Sequence, residues 1–179
     1  MQLALFILIV AASNALSAPT LIAPRNKSQH PKYSIYLIRH GEKPDDDSAG
    51  LTLAGEARAQ CIARKYSQTG FTSLFCMDYD ADTGAHARAC ETLQPLADAT
   101  GLPLNHKYQE QDDEGVSGAL LKAAQSGPVM VAWEHKVLGQ IAGDLTGQKW
   151  KYPGSEFDLV WIFDPSTGQI TESSEGCNA

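Results

Sequence analysis

Short, unbroken apolar runs rich in β-branched and aromatic residues alternate along this chain with longer segments of helical period, and few architectures accommodate that alternation. Tyr33 to Ile38 is one such run and reads as a strand buried on both faces. Thr52 to Gln68, with Leu53, Ala57, Ile62 and Tyr66 along one stripe, reads as a helix. The pair repeats as Leu74 to Tyr79 and Ala85 to Thr100, the second ended by Gly101 and Pro103. A third unit is fainter: Leu104 to Tyr108 as a short strand, Gln109 to Gly115 as an acidic loop, and Ser117 to Gln125 as a helix stopped by Gly127-Pro128. Val129 to Trp133 is another buried strand, followed by a helix over Val137 to Leu145. Phe157 to Phe163 and Gln169 to Glu172 flank Asp164-Pro165-Ser166-Thr167-Gly168 and read as a hairpin. Strands joined through helices run parallel, so the expected fold is α/β, a three-layer sandwich with a mostly parallel sheet and a C-terminal antiparallel hairpin.

The first residues follow a different pattern. MQLALFILIVAA is apolar for about a dozen positions, short of the ~20 a membrane span needs, and Ala15-Leu16-Ser17 supplies small residues after it. We expect a signal peptide over residues 1–17, a polar leader over 18–32 and one domain over 33–179. The sequon Asn26-Lys27-Ser28 makes Asn26 a glycosylation candidate. No later run approaches spanning length, so a secreted, extracellular protein with no membrane contact after cleavage is expected. Secretion gives meaning to Cys61, Cys76, Cys90 and Cys177, an even set with no C-x-x-C pair: two structural disulfides, with all three pairings open. With 14 basic against 21 acidic residues the net charge is −7, which argues against a nucleic-acid partner. The sequence sets no oligomeric state.

In a parallel sheet, ligands gather beyond the carboxyl ends of the strands. The first strand runs out in Ile38-Arg39-His40-Gly41-Glu42, and Val129 to Trp133 runs out in Glu134-His135. Arg88 stands near the start of the second helix, where free N–H groups already favour an anion. Two arginines and two histidines thus converge on one face of an acidic protein. A phosphoryl group is the ligand whose oxygens match forked guanidinium donors. His86 and His106 read as exposed or internally satisfied polar residues, since no metal-binding spacing supports them, and Trp133, Trp150 and Trp161 read as packing.

Leu37-Ile38-Arg39-His40-Gly41-Glu42, Leu51-Thr52-Leu53-Ala54-Gly55-Glu56-Ala57-Arg58-Ala59, Arg88-Ala89-Cys90-Glu91-Thr92 and Val131-Ala132-Trp133-Glu134-His135 together resemble the histidine phosphatase superfamily, with its phosphoglycerate mutase-like fold, over residues 33 to about 146. The resemblance implies that His40 is the nucleophile, that Arg39 and Arg88 bind the phosphate, that His135 is the second histidine of the pocket, and that no metal or organic cofactor is needed. The chemistry also requires a proton donor for the leaving alkoxide. Glu42, Glu110, Asp112, Asp113 and Glu114 are the candidates, with Glu110 favoured; Glu134 reads as orienting a neighbour or pairing with Lys136. The phytase branch typically shows Arg-His-Gly-x-Arg-x-Pro and an acidic residue after its second histidine, whereas this chain has Glu42-Lys43-Pro44 and Lys136. Gly84 stands where the compact branch often carries a small hydroxyl residue. The expected activity is secreted phosphomonoester hydrolysis of a small phosphorylated substrate through a phosphohistidine on His40. The alternative is a secreted binding or effector protein with the same pocket and little or no catalysis.

Overall fold

The computed structural model describes residues 31–44 and 49–177. The expected signal peptide, the leader as far as residue 30 and Asn26 lie outside them. In chain order the elements are β1 (Ile35–Arg39), α1 (Leu53–Tyr66), β2 (Ser73–Met77), α2 (Arg88–Thr100), β3 (Leu104–Tyr108), α3 (Asp113–Ala123), β4 (Val129–Trp133), α4 (His135–Thr146), β5 (Leu159–Asp164) and β6 (Gln169–Ser174).

The six strands form one sheet in the order β3-β2-β4-β1-β5-β6. β1 pairs with β4, and β2 with β3 and β4, in parallel; β5 pairs antiparallel with both β1 and β6. This is the mostly parallel sheet with a C-terminal antiparallel hairpin expected from the sequence. The connections β1-α1-β2 and β2-α2-β3 step one way along the sheet and β3-α3-β4 steps back. Right-handed crossovers therefore put α1 and α2 on one face and α3 on the other, where it packs against α4. Every residue of β4 is buried, and Ile35, Leu37 and Ile38 of β1 are fully enclosed, as strands covered on both faces require. Because β1 leads into α1 and its neighbour β4 into α4, a crevice opens between their carboxyl ends.

The elements differ from the sequence reading mainly at their ends, for local reasons. α3 begins at Asp113, inside the segment read as an acidic loop, because the Asp112 side chain caps it by accepting from the Gly115 N–H at 3.0 Å, and Asp113 and Glu114 suit the positive end of the helix dipole. α2 begins at Arg88 rather than Ala85, since His86 has φ +67°, which no right-handed helix admits. The hairpin turn closes as expected, with the Gly168 N–H donating to the Asp164 carbonyl at 2.8 Å.

The cysteine pairing is also resolved. Cys61 meets Cys177 with sulfurs 2.20 Å apart, tying α1 to the segment after β6, and Cys76 meets Cys90 at 2.06 Å, tying β2 to α2.

Candidate active site

The site starts where β1 ends. After Arg39 the chain turns inward, with the Gly41 N–H donating to Thr92 Oγ1 at 2.7 Å and that hydroxyl donating to the Arg88 carbonyl at 2.7 Å. The start of α1 lies against this turn. A Cβ on Gly55 would stand 2.7 Å from the Glu42 carbonyl oxygen, so only glycine lets the helix approach the backbone this closely.

His40 is buried, and its Nδ1 lies 2.8 Å from the Gly41 carbonyl. A carbonyl oxygen only accepts, so Nδ1 carries the proton and Nε2 keeps a lone pair. Burial pushes His40 down to about 4, with Arg39 and Arg88 adding to the effect and the Gly41 hydrogen bond opposing it. The ring is therefore neutral near pH 7, as a nucleophile must be.

Arg39 donates through Nη1 to the Gly154 carbonyl, and its Cζ sits 3.9 Å from the centroid of the Phe157 ring. Its Nε is buried without a hydrogen-bond partner. Arg88 is the first residue of α2 and donates through Nε to the Gly50 carbonyl at 3.1 Å. The N-cap of that helix is Ala87, which has no side-chain oxygen to occupy the first amide groups. His135 opens α4, where Glu134 is the cap and accepts from the Lys136 N–H at 2.5 Å. Nδ1 of His135 is 2.5 Å from the other Glu134 oxygen, without hydrogen-bond alignment. Burial lowers the His135 proton affinity, Glu134 raises it, and Arg39, Lys136 and Lys43 lower it further.

These groups share one pocket of about 320 Å³, lined by Arg39, His40, Lys43, Met77, His86, Arg88, Glu110, Glu134, His135 and Lys136. All five residues singled out for catalysis and phosphate binding are in it. Of the competing carboxylates, Asp112 serves as a cap and Asp113 and Glu114 form the first turn of α3, while Glu42 is absent from the lining. Glu110 is fixed from behind by Trp133, whose Nε1–H donates to the Glu110 carbonyl at 2.8 Å. Glu134 touches both neighbours it was expected to serve, but reaches Lys136 through the main-chain N–H. Larger hollows lie elsewhere on the described residues, and two of them, of about 700 and 660 Å³, lie beside α2 and between α1 and α2. Neither is lined by an arginine or lysine, so neither suits an oxyanion.

The sequence reads His86 as an exposed or internally satisfied polar residue and assigns it no place at the site. Its side chain is half exposed, yet it lines the pocket and its Nδ1 lies 2.9 Å from Glu110 Oε2. Arg58 and Glu175, an enclosed ion pair under Arg39, were also missed. Arg58 stood in a quoted motif, but nothing local announced its partner.

No model of a known protein family and no curated protein matches this chain. Solved structures do. The protein histidine phosphatase SixA complexed with tungstate is 20% identical, with a TM-score of 0.55 over 79% of this chain and 97% of that one. Phosphoglycerate mutase from Bacillus anthracis str. Sterne is 13% identical, with a TM-score of 0.54 over 83% and 95%. Alpha-ribazole phosphatase from Shigella flexneri is 15% identical, with a TM-score of 0.52 over 79% and 95%. The chain therefore has the fold that these histidine phosphatase superfamily members share.

Proposed function

We propose that this chain, built on the phosphoglycerate mutase-like fold, is a secreted phosphomonoesterase working through a phosphohistidine on His40. The observation that carries the reading is the convergence of a neutral, buried imidazole, a second imidazole and two arginines on one pocket at the crevice between β1 and β4. A place outside the cytosol accounts for the pairing of all four cysteines.

In the first step His40 Nε2 donates its lone pair to phosphorus as the bond from phosphorus to the ester oxygen breaks, and the Glu110 carboxyl passes its proton to the departing alkoxide. In the second, Glu110 takes a proton from water, the water oxygen attacks phosphorus, and the bond to Nε2 breaks to return the neutral ring. Arg39, Arg88 and His135 hold the equatorial oxygens throughout, where positioned donors matter most; losing one typically costs about 100- to 1000-fold in rate. The substrate class is a small phosphorylated molecule, in keeping with the pocket's size. The direct test is incubation of the full chain with an aryl phosphate. Phosphate release and an acid-labile, alkali-stable phosphoryl group on the protein are expected, and absence of both would end the reading.

His135 adds a second expectation. Burial keeps its ring less basic than usual in the free protein, but an arriving dianion favours the imidazolium. Oxyanion binding should therefore take up protons. Titration with tungstate, which does not itself titrate near neutrality, should give a binding enthalpy that varies with the ionisation enthalpy of the buffer. His135→Gln should abolish that dependence; an unchanged dependence in the variant would remove His135 from the oxyanion contacts.

A further inference from the structure

Among the described residues, His86 is the only non-glycine residue with a positive φ, +67°. The loop around it is pinned on both sides. Asp80 accepts at its side chain from the Asp82 and Thr83 N–H groups, at 2.8 and 3.0 Å, and at its carbonyl from the Gly84 N–H at 2.8 Å. The Asp80 N–H donates to the Ala85 carbonyl at 3.1 Å, and the Ala87 N–H donates to that of Gly84 at 3.1 Å. Held this way, the chain has left-handed backbone at Gly84, where φ is +72°, and again at His86. A histidine is strained in that region.

The side-chain contact that the strained conformation makes contributes little to stability. The His86 side chain is 55% exposed and its partner Glu110 is 25% exposed, and an ion pair so open to water adds little to stability. What the conformation does achieve is to bring Nδ1 within 2.9 Å of Glu110 Oε2 at the phosphate pocket. The other Glu110 oxygen accepts from Gln111 Nε2 at 2.8 Å, and the carbonyl of the same residue is held by Trp133. Gln111 thus holds one oxygen of the Glu110 carboxyl and His86 lies against the other, while Trp133 fixes the main chain that carries them.

We propose that His86 is a positioning residue that holds the Glu110 carboxyl at the phosphate pocket in the rotamer from which it exchanges a proton with the leaving group. The proposal rests on the phosphatase reading above and assigns to it a residue that sequence spacing does not mark. Strain at a point that contributes little to stability, aimed at one oxygen of the candidate acid, is the pattern expected of a functional constraint.

Leaving-group dependence separates positioning from mere structure, because a nitrophenolate leaves without protonation whereas an alkoxide does not. The full-length chain and its His86→Gly, His86→Asn and Glu110→Gln variants would be compared on 4-nitrophenyl phosphate and on a simple alkyl phosphate, with thermal melts of each. Glycine adopts φ +67° without strain, so His86→Gly should melt no lower than the native protein. Its rate of phosphoenzyme formation from the alkyl phosphate, read in a single turnover before hydrolysis of the phosphohistidine, should nevertheless fall by about tenfold to a hundredfold, while that from the aryl phosphate falls less than about threefold. Asparagine tolerates the same backbone and places an amide N–H near the position of Nδ1, so His86→Asn should recover most of the alkyl rate. In a Glu110→Gln background, His86→Gly should have no further effect. Equal losses on both substrates, no rescue by asparagine, or a full additional loss in the Glu110→Gln background would each overturn the proposal. A native protein no faster than its His40→Ala variant would instead bring down the phosphatase reading on which it rests.

Discussion

Replacing His40 with alanine is expected to lower phosphomonoester hydrolysis by about four orders of magnitude or more and to leave the protein unphosphorylated. Such a loss follows from the proposed mechanism, in which Nε2 of His40 attacks phosphorus: the Gly41 carbonyl fixes its tautomer, and burial keeps it neutral. His135 cannot take over, because it opens a different helix with its Nδ1 against Glu134, and no cysteine is free. The variant should also show that the fold is intact. In the folded protein His40 is pushed down to about 4 from an ordinary 6.5, so between those values the unfolded chain binds the proton that the folded protein refuses. Stability conferred by His40 is thus complete above about 6.5 and is lost as the pH falls through that window. At pH 5 the loss is about 2 kcal/mol. His40→Ala removes it, so stability measured by denaturant melts should decline less between pH 7 and pH 5 in the variant than in the native protein. Substantial hydrolysis by a folded His40→Ala protein would leave the anion-binding alternative, or a different nucleophile, as the better account.

The residues legible in the sequence are those whose position depends on short stretches of chain. Arg39 and His40 follow directly from β1, and Glu134 and His135 from β4. Once the two strands pair in parallel with Arg39 opposite Trp133, those side chains must meet at one crevice. Arg88 was legible because a helix N-terminus and a cation at it are local features. What escaped depends on contacts between distant segments or on loop conformation. Cys61 and Cys177 are separated by 116 positions, and Arg58 and Glu175 by 117, distances over which spacing carries no information. His86 escaped because its orientation comes from the Asp80 turn, which forces a left-handed residue no periodicity can reveal. The acidic segment after β3 was misjudged in extent because Asp112 was weighed as a proton donor when its nearest use was as a helix cap.

Removing the carboxylate of Glu175 is expected to be the most damaging single change to stability, about 3 to 5 kcal/mol. Arg58 and Glu175 are each only 2% exposed, and the guanidinium meets the carboxylate at 2.8 Å through Nε and 2.6 Å through Nη2. Nη2 also donates to the Arg39 carbonyl at 3.0 Å, while Nη1 is buried with no hydrogen-bond partner. Glu175→Ala would leave an enclosed cation with one carbonyl for company, and the loss of both acceptor oxygens from the buried guanidinium sets the penalty. Lys65 Nζ, donating to the carbonyls of Glu175 and Gly176 at 2.9 and 2.7 Å, and the Cys61–Cys177 bridge would still hold the tail against α1. The defect should therefore be electrostatic, without release of the tail. Burial also pushes the Glu175 carboxyl up to about 7 from an ordinary 4.5, the Arg58 fork notwithstanding. The sign is opposite to that of His40: the folded protein holds this proton more tightly, so its contribution is complete below about 4.5 and is lost as the pH rises through 7. Glu175→Gln, which cannot titrate, should remove that decline. The double variant Arg58→Met/Glu175→Leu fills the same space with apolar atoms and should regain most of the stability lost in Glu175→Ala. It should not regain the activity, because the donor that fixes the Arg39 carbonyl, one residue before His40, is gone. Stability and kcat recovering together would show that the pair merely fills the interior. Recovery of stability alone would assign Arg58 the task of holding the end of β1 in the register that aims His40 at phosphorus.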